Sequence, residues 1–273
     1  MSLVVAVETL LIGGVTGLLA GLLGVGGGFL LIPLLSLSGT PIHTAIGTSL
    51  AFIACVSLAG SVQHLRQGSI DLLVALALAL PAAVMASVGA RLSGLLSPAV
   101  LHLLFGLLVL GVLAFFHFSP LPASAPPLPP ATGPLYVIER RRRIAQVTYR
   151  YRVNLLNAVL SGMSTGLVSG FFGVGGGFLL VPLSVSVLHI PLQITAGTCL
   201  AVTVPPALVG AITHGLLGHV DLGLWLPLVL GGLAGSQLGA RLTVRVRPLT
   251  LKRLFSAVLL LAALSMLARG LRA

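Results

Sequence analysis

Two runs of glycine carry the chemistry this sequence can offer. Gly24-Val25-Gly26-Gly27-Gly28-Phe29 returns as Gly173-Val174-Gly175-Gly176-Gly177-Phe178, and each run leads through an aliphatic stretch to a proline, Pro33 or Pro182. A glycine disfavours a helix interior by about 1 kcal/mol relative to alanine. In hydrocarbon, a broken helix also frees N–H and C=O groups that cost several kcal/mol apiece if left unbonded. Such a break persists only where it is buried in protein or lines a cavity. Matching breaks in two halves of one chain point to the binding site of a transporter. An anion entering a membrane must exchange its hydration shell for hydrogen-bond donors and positive dipole ends. Half-helix N-termini, each carrying about +0.5 charge, supply both, and glycine lets a ligand reach the backbone directly.

The substrate-binding candidates are therefore Gly26, Gly27 and Gly28 with Gly175, Gly176 and Gly177. The nearby hydroxyls of Thr48, Ser49 and Thr198 join them, with Cys199 standing where Ser49 does in the other half. Glu8, His64 and His214 are candidates for proton coupling or gating, since ionisable groups in apolar segments are functional by default and histidine titrates near neutrality. Each also has a plain structural role. Glu8 is close enough to the start of its segment to reach the interface. His64 and His214 end theirs, and Thr48 and Thr198 can bond their own helix backbone. Asp71 and Asp221 precede apolar runs as helix caps, and Arg91 and Arg241 can snorkel. With only four acidic residues in the chain, anion handling is favoured over cation handling. No enzyme is expected. The chain lacks Gly-x-Ser-x-Gly, His-Glu-x-x-His and paired carboxylates, so no catalytic residue is assigned. The glycine run lacks the strand–turn–helix setting and acidic partner of a dinucleotide loop. Cys55 and Cys199 sit in apolar segments and suggest neither a disulfide framework nor a metal site, and no cofactor is implied.

The elements that hold these residues are membrane helices. Hydrophobic residues make up 57% of the chain and charged residues 7%, against about 25% charged in a soluble domain. The chain reads as an all-α, polytopic membrane bundle. Its net charge of +11 comes mostly from arginines in short connections, which sets membrane orientation rather than nucleic-acid binding. No basic n-region precedes the first apolar run, so no cleaved signal peptide is expected. Residues 1–118 form a first transmembrane repeat, with apolar segments at about 3–37, 43–65, 71–92 and 98–118. Gly13, Gly17, Gly21 and Gly24 lay a smooth stripe on the first, where another backbone can approach. Residues 119–152 hold seven prolines and then Arg140-Arg141-Arg142-Arg143, Arg150 and Arg152. They read as a polar, cytoplasmic connector. Residues 153–273 form the second repeat.

The duplication is in register at an offset of 149, then 150 after one inserted residue. Pro41 matches Pro191, Gly47-Thr48 matches Gly197-Thr198, His64 matches His214 and Asp71 matches Asp221; Gly89-Ala90-Arg91-Leu92 matches Gly239-Ala240-Arg241-Leu242. If each broken segment enters and leaves by one face, the halves are inverted, and 12 of the 15 Lys and Arg fall on the side of the connector, against nine for a parallel repeat. The positive-inside rule favours inverted repeats.

The duplicated G-V-G-G-G-F-hydrophobic-P motif, the following G-T-[SC]-L-A and the G-A-R-L of the third segment resemble the TauE/SafE family of sulfite exporters. The resemblance covers residues 3–118 and 153–270. It implies export of sulfite, sulfoacetate or another sulfur-containing or organic anion across the bacterial inner membrane. The partners it implies are the small anion and the lipid bilayer, and the oligomeric state stays open. The long Pro- and Arg-rich connector departs from a minimal member. The alternative is a non-transporting membrane assembly or receptor subunit, in which the glycine breaks serve packing alone.

Overall fold

A computed structural model describes residues 3–23, 25–118, 137–144, 147–242 and 248–271. Gly24 of the glycine stripe, the proline-rich part of the connector and Arg245 and Arg247 lie outside the described residues. The apolar segments are helices: α1 (Leu3–Leu23), α2 (Gly28–Leu37), α3 (Ile42–Arg66), α4 (Leu72–Ser93) and α5 (Pro98–Phe118) in the first half. The second half repeats them as α6 (Leu155–Phe172), α7 (Gly177–Ser186), α8 (Leu192–Leu216), α9 (Leu222–Leu242) and α10 (Pro248–Gly270). Among the described residues, seven helices are long and apolar enough to cross a membrane. Large apolar side chains such as Leu80, Val84, Leu222 and Leu261 face outward, as lipid-facing positions do.

Each glycine run splits its segment into a long and a short helix. Ser38, just after α2, donates a hydrogen bond to the Glu8 carboxylate at 3.2 Å, so α2 turns back along α1 toward the end where α1 began.

The two halves are interleaved. Gly13 and Gly17 lie against the backbone of Leu228 and Gly232, and Gly235 and Gly239 lie against the backbone at Gly14 and Leu18. A Cβ at any of these four would run into main chain, so the stripe read in the sequence is the seat of α9. Gly162, Gly166 and Gly170 of α6 likewise rest on Leu78, Ala82 and Ala86 of α4. In both pairs the numbers rise together, so the helices are parallel, and the first helix of each half packs most extensively on the fourth of the other. Central pairs run the opposite way. Gly60 meets Leu200 while Gly210 meets Leu50, and Gly106 meets Leu267 while Gly270 meets Leu103, so α3/α8 and α5/α10 are antiparallel.

One feature adds to the all-helical expectation. Part of the connector is an antiparallel hairpin of β1 (Val137–Ile144) and β2 (Val147–Asn154), with Arg140 opposite Tyr151 and Arg142 opposite Tyr149. The alternation of a strand puts these four side chains on one face. Asn154 ends β2 and caps α6, accepting from the N–H of Leu156 at 2.9 Å and of Asn157 at 3.3 Å.

Candidate functional site

The two breaks are built alike. Gly26 and Gly27 have φ of 78° and 84°, and Gly173, Gly175 and Gly176 have 72°, 73° and 72°. This left-handed region strains any residue with a Cβ, which is why the motif is glycine. The carbonyl of Gly27 accepts from Leu30 and Leu31, and that of Gly176 from Leu179 and Leu180, each at 2.9–3.1 Å. A glycine cap has no side chain to bond the N–H groups that open the helix. Both short helices therefore begin with backbone donors and the positive dipole end, unmodified by a capping carboxylate or hydroxyl.

The breaks face each other in the buried interior. A Cβ on Gly28 would stand 2.7 Å from the Gly173 carbonyl and 2.8 Å from Val174 Cα, and one on Gly177 would stand 2.7 Å from the Val25 carbonyl. Gly26 and Gly175 both pack against Ile53 of α3 and Thr203 of α8. The rings of Phe29 and Phe178, one residue into each short helix, have centroids 6.5 Å apart. All six glycines named as candidates are buried. Sequence positions about 150 apart are thus brought into one small region.

The hydroxyl candidates divide. Ser49 donates to the Gly173 carbonyl at 2.9 Å, which ties α3 to the edge of the opposite break. Cys199 is buried 3.5 Å from the Ser184 hydroxyl of α7. Thr48 and Thr198 point elsewhere: Thr48 Oγ1 accepts from the Asp221 N–H at 3.0 Å, and Thr198 Oγ1 accepts from the Asp71 N–H at 3.1 Å. Each threonine therefore holds the loop before the fourth helix of the other half. Three further hydroxyls at the breaks, those of Thr16, Ser57 and Ser169, were not singled out by the sequence. They are buried and bond nothing among the described residues.

Glu8 is exposed beside Ser38. His64 Nδ1 lies 3.0 Å from the Ser69 hydroxyl. His214 Nε2 lies 3.0 Å from the Gly170 carbonyl, and its Nδ1 is 3.4 Å from His219 Nδ1. His219 stacks on His43 with centroids 5.1 Å apart. Both histidine candidates are thus buried at helix ends, His64 bonded to the turn that follows α3 and His214 to the backbone of α6.

The strongest electrostatic cluster lies at the start of α4. Asp71 caps α4 through the N–H groups of Leu73 and Val74 at 3.2 and 3.4 Å. Its fully buried carboxylate also receives both Arg140 Nε at 2.8 Å and Nη2 at 2.7 Å, the Tyr151 hydroxyl, and Arg142 at 3.5 Å. Burial alone pushes the Asp71 carboxyl up, but the hydrogen bonds from Arg140 and Tyr151 and the Arg140 charge outweigh it and hold the group down at about 2. The Tyr151 hydroxyl is pushed up by its burial and by the carboxylate beside it. Asp221 caps α9 through Gly223 and Leu224 at 2.8 and 3.1 Å and is exposed. The alternation Val147-x-Tyr149-x-Tyr151-x-Val153 was the available sign of the hairpin that makes this difference.

The family model for the sulfite exporter TauE/SafE family matches residues 9–266. The chain is 31% identical over 252 residues to the probable membrane transporter protein YdhB of Bacillus subtilis (strain 168), covering 91% of this chain and 94% of the relative. It is 25% identical to the probable membrane transporter protein YunE of the same organism, covering 99% of each, and 28% identical to a probable membrane transporter protein of Xylella fastidiosa (strain 9a5c), covering 94% and 93%. No solved structure matches it significantly. The duplicated glycine break, the spanning helices and a family match over nearly the whole chain agree: the chain belongs to the sulfite exporter TauE/SafE family.

Proposed function

We propose that this protein moves a small anion, sulfite or another sulfur-containing or organic anion, across the bacterial inner membrane. That the protein is a multi-pass membrane transporter rests on the family, the relatives and the spanning helices. The anion reading rests on one observation above the rest: two glycine-capped helix N-termini, one from each half, face each other in the buried centre. Gly26–Gly28 and Gly175–Gly177 line the site, with Ser49 and Cys199 behind them, while Thr48 and Thr198 fix the loops that frame it. His64 and His214 serve gating at the two helix ends. The antiparallel pairing of α3 with α8 and of α5 with α10, together with the arginine distribution, supports halves that are inverted in the bilayer. Alternating access then amounts to rocking of the interleaved halves about the fixed site. Flux of sulfite, thiosulfate, sulfoacetate and acetate into proteoliposomes tests this. Saturable movement of a sulfur oxyanion is the expected result, and well-folded protein that moves none of them contradicts it.

A further inference from the structure

Three hydroxyls at the breaks, Thr16 of α1, Ser57 of α3 and Ser169 of α6, are completely buried and have no hydrogen-bond partner among the described residues. Their neighbours show that a partner was available. Thr9, Ser61, Thr165 and Thr203, on the same helices or their repeats, donate to carbonyls of the preceding turn at 2.7–2.8 Å. The three differ in adopting no such bond, and all three lie at the glycines. Thr16 packs on Gly27, Ser169 packs on Gly176, and Ser57 Oγ is 3.5 Å from where a Cβ on Gly26 would stand. A buried hydroxyl without a partner costs about 1–3 kcal/mol, so three of them, each beside a glycine of the two breaks, call for a common explanation. A ligand rich in acceptors supplies it.

The charge of that ligand follows from its surroundings. The side chains nearest the six glycines (Thr16, Ala20, Ile53, Ser57, Ser169 and Thr203) include no lysine or arginine. The positive potential comes from two half-helix N-termini of about +0.5 each, close to one elementary charge together. A dianion would keep about one charge uncompensated in a water-poor interior, which is strongly unfavourable. We propose that Thr16, Ser57 and Ser169 donate hydrogen bonds to the oxygens of a singly charged oxyanion, of the hydrogensulfite or sulfonate class, and that the site excludes dianions such as sulfate. This rests on the reading that the breaks bind the transported anion.

The test uses the full chain in proteoliposomes with hydrogensulfite, methanesulfonate and sulfate. The variants are Thr16→Val, Ser57→Ala and Ser169→Ala, with Thr16→Ser keeping the hydroxyl and Gly27→Leu testing the glycine site itself. Methanesulfonate and hydrogensulfite are expected to move and sulfate to be refused. Each hydroxyl deletion is expected to raise KM roughly tenfold, with the melting temperature unchanged or higher, because a purely structural orphan is relieved by its removal. Thr16→Ser retains the wild-type KM. Wild-type KM in all three deletions overturns the role of the hydroxyls, while loss of flux per folded Gly27→Leu protein, matched to wild type by size-exclusion chromatography, leaves the glycine site standing. Sulfate transported as well as methanesulfonate overturns the charge assignment. Flux indifferent to Gly27→Leu and to every hydroxyl deletion overturns the underlying site as well.

Discussion

Asp71 and Asp221 occupy the same place in the two repeats, and the sequence treats them as equal caps. Capping is legible in that way, because it depends only on the residue and the helix that follows. What separates them is the hairpin, which surrounds one carboxylate with two arginines and a tyrosine and leaves the other in the open. Replacing Asp71 with Asn leaves Arg140 and Arg142 facing an uncharged amide in a buried place. The expected loss is about 3 kcal/mol, seen as a lower melting temperature in detergent and faster tryptic cleavage at Arg140–Arg143. Asp221→Asn should cost less than about 1 kcal/mol. The sign with pH follows from the depressed Asp71 carboxyl. Its contribution is complete above the ordinary carboxylate range near 4 and is lost as pH falls toward 2. The stability difference between wild type and Asp71→Asn should therefore hold from pH 7 to about 4 and shrink below it, as melting curves across that range will record.

At the scale of elements, the glycine stripes show how much packing a sequence can declare. Spacings of three and four put Gly13 and Gly17 on one face, and α9 closes onto that face until backbones touch. Gly166→Leu on α6 should wedge α4 away and sharply reduce folded yield in size-exclusion chromatography. Gly111→Ala on α5, where a Cβ meets nothing within 4 Å, should be neutral or stabilising by about 1 kcal/mol. The breaks were legible for the same reason as the stripes, since three consecutive glycines cannot serve one face. The orphan hydroxyls were not. Ser57 is matched by Ala207 and Ser169 by Ala20 in the repeats, while Thr16 is matched by Thr165, which bonds its own helix, so pairing the halves does not mark them, and the absence of a partner exists only in three dimensions. The hairpin was hidden by composition, because six arginines in 119–152 mark a solvated connector before their alternation with tyrosine and valine marks a strand.

For the whole molecule, the interleaving of helices makes the halves a single unit. The first helix of each half has its main partner in the other, and α3/α8 and α5/α10 cross the middle. Motion that exposes the centre to one side and then the other must shift both halves together. Inverted halves make a sharp prediction. Gln67 and Leu217 end α3 and α8 in matched, exposed turns. With Cys55 and Cys199 replaced, single cysteines at these two positions should label from opposite sides of the membrane, Gln67 from the cytoplasm. Labelling from one side would mean a parallel repeat. The central claim, that an anion binds where the two breaks face each other, is tested most directly by sulfite flux in proteoliposomes carrying Gly27→Leu or Gly176→Leu. A Cβ at these φ values strains the break and lowers yield, so flux is read per folded protein recovered by size-exclusion chromatography, and it is expected at background in both variants. Normal flux in both would contradict the site.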